Sequence, residues 1–429
     1  MIIARDSYLE QLKERMWNGL IKIVTGIRRC GKSFLLFRLF ADYLRASGVS
    51  PEHIIAINLE SEENEQYCDI SNLSAYLRQR ISDDGGRYYL LLDEIQFAIS
   101  KQELRDKDNP PRLYRLLNGL MHKQNIDIYV TGSNSKMLSN DVSTEFRGRG
   151  DVIRLHPLSF REFFSAVDTD KITALDDYML YGGMPQMLTM KSPSARLEYA
   201  RELFAEVYRK DIIERYEIEF PDLLDKITDT LCSSVGSLTN VAKLTTTIRS
   251  SGESKCHHET IARYLGCLQE AMIFTTAKRY DVKGRRYFDY PMKFYCEDLG
   301  LRNMRLNLRQ QDETHIMENI IFNELVQRGY AVDVGVVPIA EKTLDGRLTR
   351  KNCEIDFVAN LGYQRYYIQS AWTLDGEEKL RQELRPLMNI ADSFTKILIT
   401  KTTQPPWRDE QGFLHLGLYD FLLNPGMPL

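Results

Sequence analysis

The chain lacks any segment suited to crossing a membrane. Its 429 residues contain no run of about 18 apolar residues, the length that a membrane-spanning helix requires. The N-terminus also lacks the basic segment followed by an apolar segment that marks a secretory signal. We therefore expect a cytoplasmic protein without a membrane partner.

Paired cysteines are missing as well. The seven cysteines stand at positions 30, 68, 232, 256, 267, 296 and 353, and no CxxC pair occurs. An odd number without paired spacing is typical of reduced thiols in a cytoplasm. The cluster Cys256, His257 and His258 has no second ligand pair at zinc spacing. We interpret it as a polar turn before a helix, with a metal site as the alternative.

Charge of one sign is not in excess, and low-complexity segments and internal repeats are absent. The formal net charge is −4, so a nucleic-acid partner would have to contact a local basic patch. Apolar residues make up 43% and charged residues 27% of the chain, which is typical of folded soluble proteins and excludes a disordered or fibrous chain. The length predicts roughly three domains of about 150 residues.

Five short apolar runs occupy the N-terminal part, at residues 21–25, 54–58, 88–92, 126–131 and 152–155. They are continuous rather than alternating, as in parallel strands that are buried on both faces. Stretches with helical spacing, such as 33–46 and 73–81, lie between them. The pattern predicts repeated βαβ units and an α/β fold.

The rest of the chain changes character twice. Strand-like runs are absent from about 157 to 220, where a helical region opens at Ser159 and is broken at 181–185. Residues 240–249 and 258–271 then predict two helices before a hairpin, the element order of a winged helix. From about residue 301 to the end, helical and strand patterns are mixed.

A phosphate-binding motif lies between the first predicted strand and the first predicted helix. Residues 26–33 read Gly-Ile-Arg-Arg-Cys-Gly-Lys-Ser and match GxxxxGK[ST] in full, in the context that this motif requires. The glycines let backbone N–H groups face a triphosphate, and the helix N-terminus adds partial positive charge. We expect ATP to be bound by Gly26, Ile27, Arg28, Arg29, Cys30, Gly31, Lys32, Ser33 and Phe34.

Within this motif, Lys32 is expected to reach the β- and γ-phosphates and the Ser33 hydroxyl to bind Mg²⁺. The predicted strand 88–92 ends in two acids, Asp93 and Glu94. A carboxylate beside the phosphate loop suits Mg²⁺, so Asp93 is the predicted second Mg²⁺ ligand. Glu94 is then placed to polarise the attacking water. The alternatives are a glycine-rich turn without a ligand and a solvated acid pair.

Two further groups are candidates for catalysis. Asn134, or Ser133 as second choice, follows the strand 126–131 and is placed to orient the water or contact the γ-phosphate; a simple turn is the alternative. Arg147 and Arg149 precede the strand 152–155. They are candidates for arginine fingers that act on a neighbouring chain's nucleotide, with surface arginines as the alternative.

With these residues in view, the N-terminal part resembles the large prokaryotic family of AAA-type P-loop ATPases whose P-loop reads GxRRxGKS. The match covers residues 26–33 and continues through 92–96, 131–134, 146–149, 158–163 and 181–185. The resemblance implies an AAA-type core over 1–157, a helical lid over 158–220, a winged helix over 221–300 and a C-terminal α/β domain over 301–429. That last domain resembles the PD-(D/E)xK folds of restriction endonucleases.

The hairpin of the predicted winged helix is basic. Residues 276–310 contain nine Lys and Arg against four Asp and Glu, and clustered positive charge can neutralise phosphates while a helix enters the major groove. The predicted DNA contacts are Lys278, Arg279, Lys283, Arg285 and Arg286. A winged helix that binds protein inside an AAA assembly is the alternative.

The resemblance to nuclease folds also implies a site in the C-terminal domain. Such folds carry an acid on one strand and (E/Q)xK on the next, with acids that hold Mg²⁺ and a lysine near the attacking water. Asp356 and Gln369 match, and Glu318 on a preceding predicted helix is the third residue of the predicted site, but Ala371 stands at the lysine position. We expect a degenerate site that does not cleave DNA; a lysine from elsewhere, such as Lys379, is the alternative.

Three functions remain open at this stage. The first is an oligomeric ATPase that couples ATP turnover to duplex or branched DNA. The second is a nucleotide-gated signalling or scaffolding ATPase that binds protein, and the third is an ATP-dependent nuclease, which Ala371 disfavours. ATP and Mg²⁺ are the expected cofactors, and DNA and further copies of the chain are the expected partners.

Overall fold

The computed structural model describes residues 2–82, 85–100, 102–103, 106, 109–132, 149–250, 257–342 and 348–426. The chain divides into two compact units. Unit 1 comprises Met1–Pro157 with Glu270–Met272, and unit 2 comprises Leu158–Gln269 with Ile273–Leu429. In the described parts of both units, no helix combines the length and the apolar character that a membrane span requires.

Unit 1 is built around a parallel sheet. Its strands are β1 (Ile21–Thr25), β2 (Ile54–Asn58), β3 (Tyr88–Asp93), β4 (Ile126–Thr131) and β5 (Gly150–Arg154). The strand order is β2-β3-β4-β1-β5, and every neighbouring pair is parallel. All five strands lie where the apolar runs predict them, and the predicted α/β class is confirmed for this unit.

Helices cover the sheet of unit 1. They are α1 (Asp6–Glu14), α2 (Lys32–Phe34, continued by a π-helical stretch Leu35–Phe40 and a helical stretch Ala41–Ala46), α3 (Ile70–Arg80) and α4 (Arg112–Leu120). Every residue of β1, β3 and β4 is buried, which explains why their sequences are continuously apolar. Because the strands are parallel, their carboxyl ends share one edge of the sheet, and the residues that follow them lie close together.

Unit 2 begins with helices, as predicted. They are α5 (Phe160–Ser165), α6 (Lys171–Tyr181), α7 (Pro193–Tyr208, continued by a π-helical stretch Arg209–Glu214), α8 (Pro221–Ser233), α9 (Val241–Ser250) and α10 (His258–Glu270). The Ser159 hydroxyl and the Glu162 side chain cap the start of α5 reciprocally. The break at 181–185 is also present, since Gly182 has a φ of 75° and ends α6.

A nine-stranded sheet forms the second half of unit 2. Its strands are β6 (Leu238–Thr239), β7 (Phe274–Asp281), β8 (Arg286–Cys296), β9 (Ala331–Lys342), β10 (Leu348–Leu361), β11 (Gln364–Ala371), β12 (Thr395–Thr400), β13 (Trp407–Arg408) and β14 (Leu414–Gly417). The order is β13-β14-β12-β11-β10-β9-β7-β8-β6. Four helices accompany them: α11 (Leu299–Arg305), α12 (Glu313–Gln327), α13 (Glu377–Met388) and α14 (Leu418–Leu423).

The hairpin β7–β8 is part of this large sheet. β7 pairs with β9 in parallel over Arg279–Asp281, and β6 pairs with β8 at Lys293 and Met292. The two helices α9 and α10 followed by the hairpin match the element order from which the winged helix was predicted, and the structure adds α8 and the short strand β6 before them. The same hydrogen-bonded sheet contains strands from both sides of residues 300 and 301, where a domain boundary is predicted. That boundary stays a prediction.

Candidate nucleotide site

The phosphate loop leaves the carboxyl end of β1 and leads into α2. Gly26 has a φ of 152° and Gly31 a φ of 105°, backbone conformations that side chains rarely tolerate. A Cβ atom on Gly26 would lie 2.2 Å from the carbonyl oxygen of Leu155 and 2.8 Å from Cys30 Sγ. The first glycine of the motif is therefore required by close backbone packing as well as by its φ.

The side chain of Lys32 is held inside the loop. Its Nζ donates hydrogen bonds to the carbonyl oxygens of Gly26 (3.1 Å) and Ile27 (3.3 Å), and Glu94 Oε1 lies 4.0 Å away. Only 3% of Lys32 is exposed. A buried ammonium that is bonded mainly to neutral carbonyls, inside a loop whose following helix exposes N–H groups, is suited to receive phosphate oxygens.

Asp93 ends β3 beside this lysine and is buried. The Thr131 hydroxyl, at the end of β4, donates a hydrogen bond to Asp93 Oδ1 and accepts one from the Glu94 N–H at 3.1 Å. Burial raises the pKa of Asp93, while the hydroxyls of Thr131 and Ser33 oppose that shift. Oδ2 is buried without a hydrogen bond of ordinary geometry to the described residues, although the Ser33 hydroxyl lies close enough to influence the carboxylate.

These residues fit a magnesium ion. Magnesium prefers oxygen ligands, and the Ser33 hydroxyl and the unbonded Oδ2 atom of Asp93 supply two of them next to the phosphate loop. Burial disfavours the ionised form of Asp93 even with Thr131 bonded to Oδ1, so a cation beside the carboxylate would stabilise that form. The donor set therefore agrees with the predicted roles of Ser33 and Asp93, which remain predictions.

Glu94 adopts a left-handed backbone conformation with a φ of 52°, which is rare for a residue with a side chain. This conformation turns the chain into the 3₁₀ turn Ile95–Ala98 directly after the sheet edge. The Glu94 carboxylate accepts a hydrogen bond from the Gln96 amide and faces Lys32. Backbone strain of this kind costs about 1–3 kcal/mol and persists where neighbouring structure imposes it.

The other predicted ATP-binding residues contribute in different ways. The side chains of Ile27 and Cys30 are fully buried, so only their backbone groups can face a nucleotide. Arg28 pairs with Glu60 at 3.1 Å, Arg29 has a φ of 64°, and Phe34 is exposed. The loop thus offers its backbone groups, and α2 adds the exposed ring of Phe34.

Arg5 supports the phosphate loop through hydrogen bonds to backbone carbonyl groups, a role that the sequence did not indicate. Its guanidinium donates to the carbonyl oxygens of Cys30 (3.3 Å) and His156 (2.7 Å), and only 4% of Arg5 is exposed. The Cys30 thiol in turn contacts the Leu155 carbonyl oxygen at 3.4 Å. The segment before α1 and the segment after β5 therefore both fix the position of the loop.

Three of the residues proposed from the end of β4 and from the polar loop, Ser133, Asn134 and Arg147, lie outside the described residues. Arg149 is described: its carbonyl oxygen accepts from the Ile21 N–H at 2.9 Å, at the amino end of β1. The phosphate loop follows the carboxyl end of the same five-residue strand, about 16 Å away. Arg149 therefore does not reach the nucleotide of its own chain.

The basic hairpin exposes part of its predicted DNA-binding set. Lys278, Lys283, Arg285 and Arg286 are exposed, and Arg279 is half-buried. The Arg279 and Arg286 guanidinium groups each lie 5.4 Å from the centre of the Phe288 ring. Arg286 is also 3.5 Å from Asp281, and Lys283 Nζ donates to the Pro338 carbonyl oxygen at 2.9 Å.

Two exposed aromatic rings follow these cations on the same hairpin. Tyr287 is 58% exposed and Tyr290 50% exposed, both on β8. Not all nine basic residues counted between 276 and 310 belong to this surface, because Lys293 and Arg302 are buried and Arg305 pairs with Asp225 and Asp229 at 2.5 Å each. The surface charge is therefore concentrated on the hairpin.

The predicted degenerate nuclease residues do come together in unit 2. Asp356 N–H donates to Gln369 Oε1 at 3.4 Å, and the Ser370 N–H and hydroxyl each donate to Asp356 Oδ2 at 2.8 Å. Glu318 lies on α12 and accepts from Lys293 at 2.8 Å. Lys379, the lysine considered as a replacement, instead pairs with Glu383 at 2.7 Å.

The lysine of this cluster is thus Lys293, which the sequence analysis assigned only to the basic region. Its Nζ lies 2.7 Å from Glu354 Oε1 and 4.0 Å from Asp356 Oδ1. No local pattern reveals this arrangement, because β8 and β10 are separated by β7 and β9 in the strand order. Among the described residues, no three His, Cys, Asp or Glu side chains are arranged to hold a metal ion.

Comparison with known proteins places these features in a family context. A model described as an AAA domain matches residues 18–164, which confirms the predicted AAA-type ATPase core. A domain of unknown function (DUF8612) matches residues 172–312. An uncharacterized protein of Haemophilus influenzae is 32% identical over 404 residues, covering 93% of both chains. The uncharacterized protein MJ1544 of Methanocaldococcus jannaschii is 24% identical, covering 89% of this chain and 80% of the relative.

Solved structures give weaker likenesses. AMPPCP-bound DnaA from Aquifex aeolicus has a TM-score of 0.33 at 14% identity, covering 63% of this chain and 90% of that chain. The Aeropyrum pernix ORC1 protein in complex with DNA has a TM-score of 0.31 at 12% identity, covering 72% and 93%.

Proposed function

The chain belongs to one family with the uncharacterized Haemophilus influenzae protein and carries an AAA domain, and from this premise we propose that it binds and hydrolyses ATP. The observation that carries the proposal is the convergence of Lys32, Asp93 and Glu94 at the carboxyl edge of one parallel sheet. Phosphoryl transfer needs this combination of a phosphate cradle, a cation site and a water-activating carboxylate.

Each residue has a role that its surroundings support. Lys32 exchanges its bonds to the carbonyl oxygens of Gly26 and Ile27 for phosphate oxygens, and the loop backbone donates its N–H groups. Ser33 and Asp93 would hold Mg²⁺, which when bound neutralises charge on the transferring phosphate. Thr131 keeps Asp93 oriented through the hydrogen bond to Oδ1.

Glu94 is the proposed base for the attacking water. Its carboxylate lies at the same edge of the sheet as Lys32, and one of its two oxygens accepts a hydrogen bond from the Gln96 amide. A carboxylate that can accept a proton from water at hydrogen-bond distance fulfils the role of a general base. Asn134 remains the proposed water-orienting residue, and Arg147 and Arg149 the proposed fingers of a neighbouring copy in a homo-oligomer.

We further propose that ATP turnover is coupled to DNA through the hairpin β7–β8. The support is the hairpin itself, which exposes the cations Lys278, Arg285 and Arg286 and also the rings of Tyr287 and Tyr290. Cations bind the phosphate backbone, and aromatic rings stack on bases that are accessible. A protein-binding ATPase switch is the competing proposal, and the near-neutral total charge is compatible with it.

Steady-state ATP hydrolysis by the full chain tests both parts. We expect Mg²⁺-dependent turnover that Lys32→Ala abolishes, and stimulation by one of three added DNAs: duplex, single-stranded or four-way junction. Turnover that no DNA form changes would favour the protein-binding switch. Turnover that survives Lys32→Ala would refute the site itself.

A variant with Arg285→Ala and Arg286→Ala tests the hairpin. Each arginine that contacts a phosphate contributes about 0.9 to the slope of log affinity against log salt, so we expect weaker DNA binding and a slope lower by about 2. The matched control replaces two exposed arginines elsewhere in unit 2, Arg381 and Arg408, and should leave the slope unchanged. Equal affinity and slope in the hairpin variant would place the DNA site elsewhere.

A further inference from the structure

A buried lysine stands at the meeting point of three carboxylates in unit 2. Lys293, on β8, is 3% exposed. Its Nζ lies 2.8 Å from Glu318 Oε1 on α12, 2.7 Å from Glu354 Oε1 on β10 and 4.0 Å from Asp356 Oδ1 on the same strand. The three acids come from two elements that are distant in sequence, and their carboxylates converge on one ammonium.

Neighbouring groups hold the carboxylates in this arrangement. The Tyr295 hydroxyl donates to Glu318 Oε1 at 2.6 Å, and Ser370 donates twice to Asp356 Oδ2. A Cβ atom on Gly236 would lie 3.2 Å from a Glu318 carboxylate oxygen, so backbone packs against the cluster on that side. The acids are therefore positioned by the fold and are not merely collected around a flexible lysine.

The charges in this cluster explain why a cation is needed. Burial by itself lowers the pKa of Lys293, but the carboxylates of Glu318, Asp356 and Glu354 outweigh it and raise that pKa. Burial raises the pKa of Asp356 to about 7, helped by Glu318 and opposed by Lys293. Buried carboxylates this close to one another are stable only when a cation or a proton compensates them.

We infer that the Lys293 ammonium is the resident cation of this carboxylate cluster and fills the space between the acids, so that in the described structure they are not arranged to hold a metal ion. The cluster then acts as a metal-independent anchor that fastens β8 to α12 and β10. β8 is also the strand that carries Arg286, Tyr287 and Tyr290 at its other end. The anchor thus fixes the end of β8 that lies away from the hairpin turn. The inference stands whether or not the hairpin binds DNA.

Removal of the ammonium makes the inference testable. Lys293→Ala leaves three carboxylates around the position that the Lys293 Nζ atom occupied. One carboxylate oxygen each of Glu354 and Glu318 already lies 2.7–2.8 Å from that position. Hard divalent cations bind carboxylate oxygens at about 2.0–2.6 Å, so small side-chain shifts suffice. We expect the variant to acquire a divalent-cation site that the wild-type chain does not have.

Binding of Mn²⁺ alone to the nucleotide-free full chain is the measurement, by electron paramagnetic resonance. Lys293→Ala should bind one more Mn²⁺ per chain than wild type binds, and adding Asp356→Asn should remove that additional site. The melting temperature of Lys293→Ala should fall in EDTA and recover with Mn²⁺ by more than that of wild type, because the proposed site at Ser33 and Asp93 is present in both chains.

Lys379→Ala is the matched control, because Lys379 is partly exposed and pairs with Glu383. This variant should gain no Mn²⁺ site relative to wild type and should keep its stability. The inference is overturned if wild type binds Mn²⁺ at a site that Asp356→Asn abolishes, a result that needs no lysine variant to fold. It is also overturned if Lys293→Ala folds with unchanged stability and gains no Mn²⁺ site.

Discussion

Replacing Thr131 by Val removes one hydroxyl from the centre of the proposed site while keeping the shape of the side chain. In the structure this hydroxyl donates to Asp93 Oδ1 and accepts from the Glu94 N–H. Thr131 and Asp93 are both buried, so water does not replace the lost bonds. Asp93 would keep its burial but lose its strongest compensating partner, and its pKa would rise further because Thr131 is the largest cause that lowers it.

The size of the effect follows from these contacts. A hydrogen bond to a buried charged group contributes about 1.5–3 kcal/mol. If the ionised Asp93 must hold Mg²⁺ in the transition state, this loss corresponds to about a 10- to 100-fold decrease in kcat/KM for ATP. The acidic limb of the pH–rate profile should also move to higher pH, because a carboxylate with a raised pKa ionises later.

The assay is steady-state ATP hydrolysis over a pH series at fixed Mg²⁺, with melting temperature as a second readout. Thr228→Val is the control, since the Thr228 hydroxyl is also buried but donates to the Leu224 carbonyl oxygen in α8. Both variants should lose some stability, and only Thr131→Val should shift the pH profile. Identical kcat/KM and pH profiles for Thr131→Val and wild type would refute the assignment of Asp93.

Two further predictions follow from close packing and from burial. Gly26→Ala should weaken ATP binding at least about 10-fold, because its Cβ meets the Leu155 carbonyl oxygen at 2.2 Å and the strain costs about 1–3 kcal/mol. Gly119→Ala in α4, where nothing lies within 4 Å, should leave calorimetric ATP affinity unchanged, and equal affinities for both variants would contradict the packing argument. Burial raises the pKa of Asp298 to about 6. Between pH of about 4 and about 6, the folded chain therefore keeps a proton on Asp298 that the unfolded chain releases. Because of this difference, the contribution of Asp298 makes the unfolding free energy fall as pH rises through that window. Asp298→Asn should reduce the change in unfolding free energy across that pH window by about 3 kcal/mol. If urea titrations at several pH values give the same pH dependence of the unfolding free energy for the variant and for wild type, a raised pKa at Asp298 is excluded.

Periodicity and motif spacing predict the elements of unit 1 well, because buried parallel strands leave a continuous apolar run in the sequence. The run at 88–92 followed by Asp93 and Glu94 indicates both the strand and the edge at which the acids lie. The phosphate loop is equally local, since its two glycines, Lys32 and Ser33 lie within the eight residues 26–33. Geometry within such a segment depends on neighbours in the chain, which the sequence shows directly.

The partners that complete the sites are not local, and the sequence does not reveal them. Thr131 reaches Asp93 only because β4 lies beside β3, and Arg5 reaches Cys30 across 25 residues. Lys293 joins Glu318 and Asp356 from a strand that is not adjacent to β10 in the sheet. Counting charges along the chain includes Lys293 among the basic residues of 276–310, whereas its buried side chain contacts the carboxylates of Glu318 and Glu354.

The most direct test of ATP hydrolysis at this site is the fate of ATP bound to Glu94→Gln. The full-length variant is mixed with labelled ATP and Mg²⁺, separated from free nucleotide by gel filtration, and its bound nucleotide is identified by chromatography. If Glu94 polarises the attacking water, the variant retains unhydrolysed ATP, wild type retains ADP or releases it, and Lys32→Ala retains neither. Normal turnover by Glu94→Gln, or ATP retained by Lys32→Ala, would contradict the proposed site.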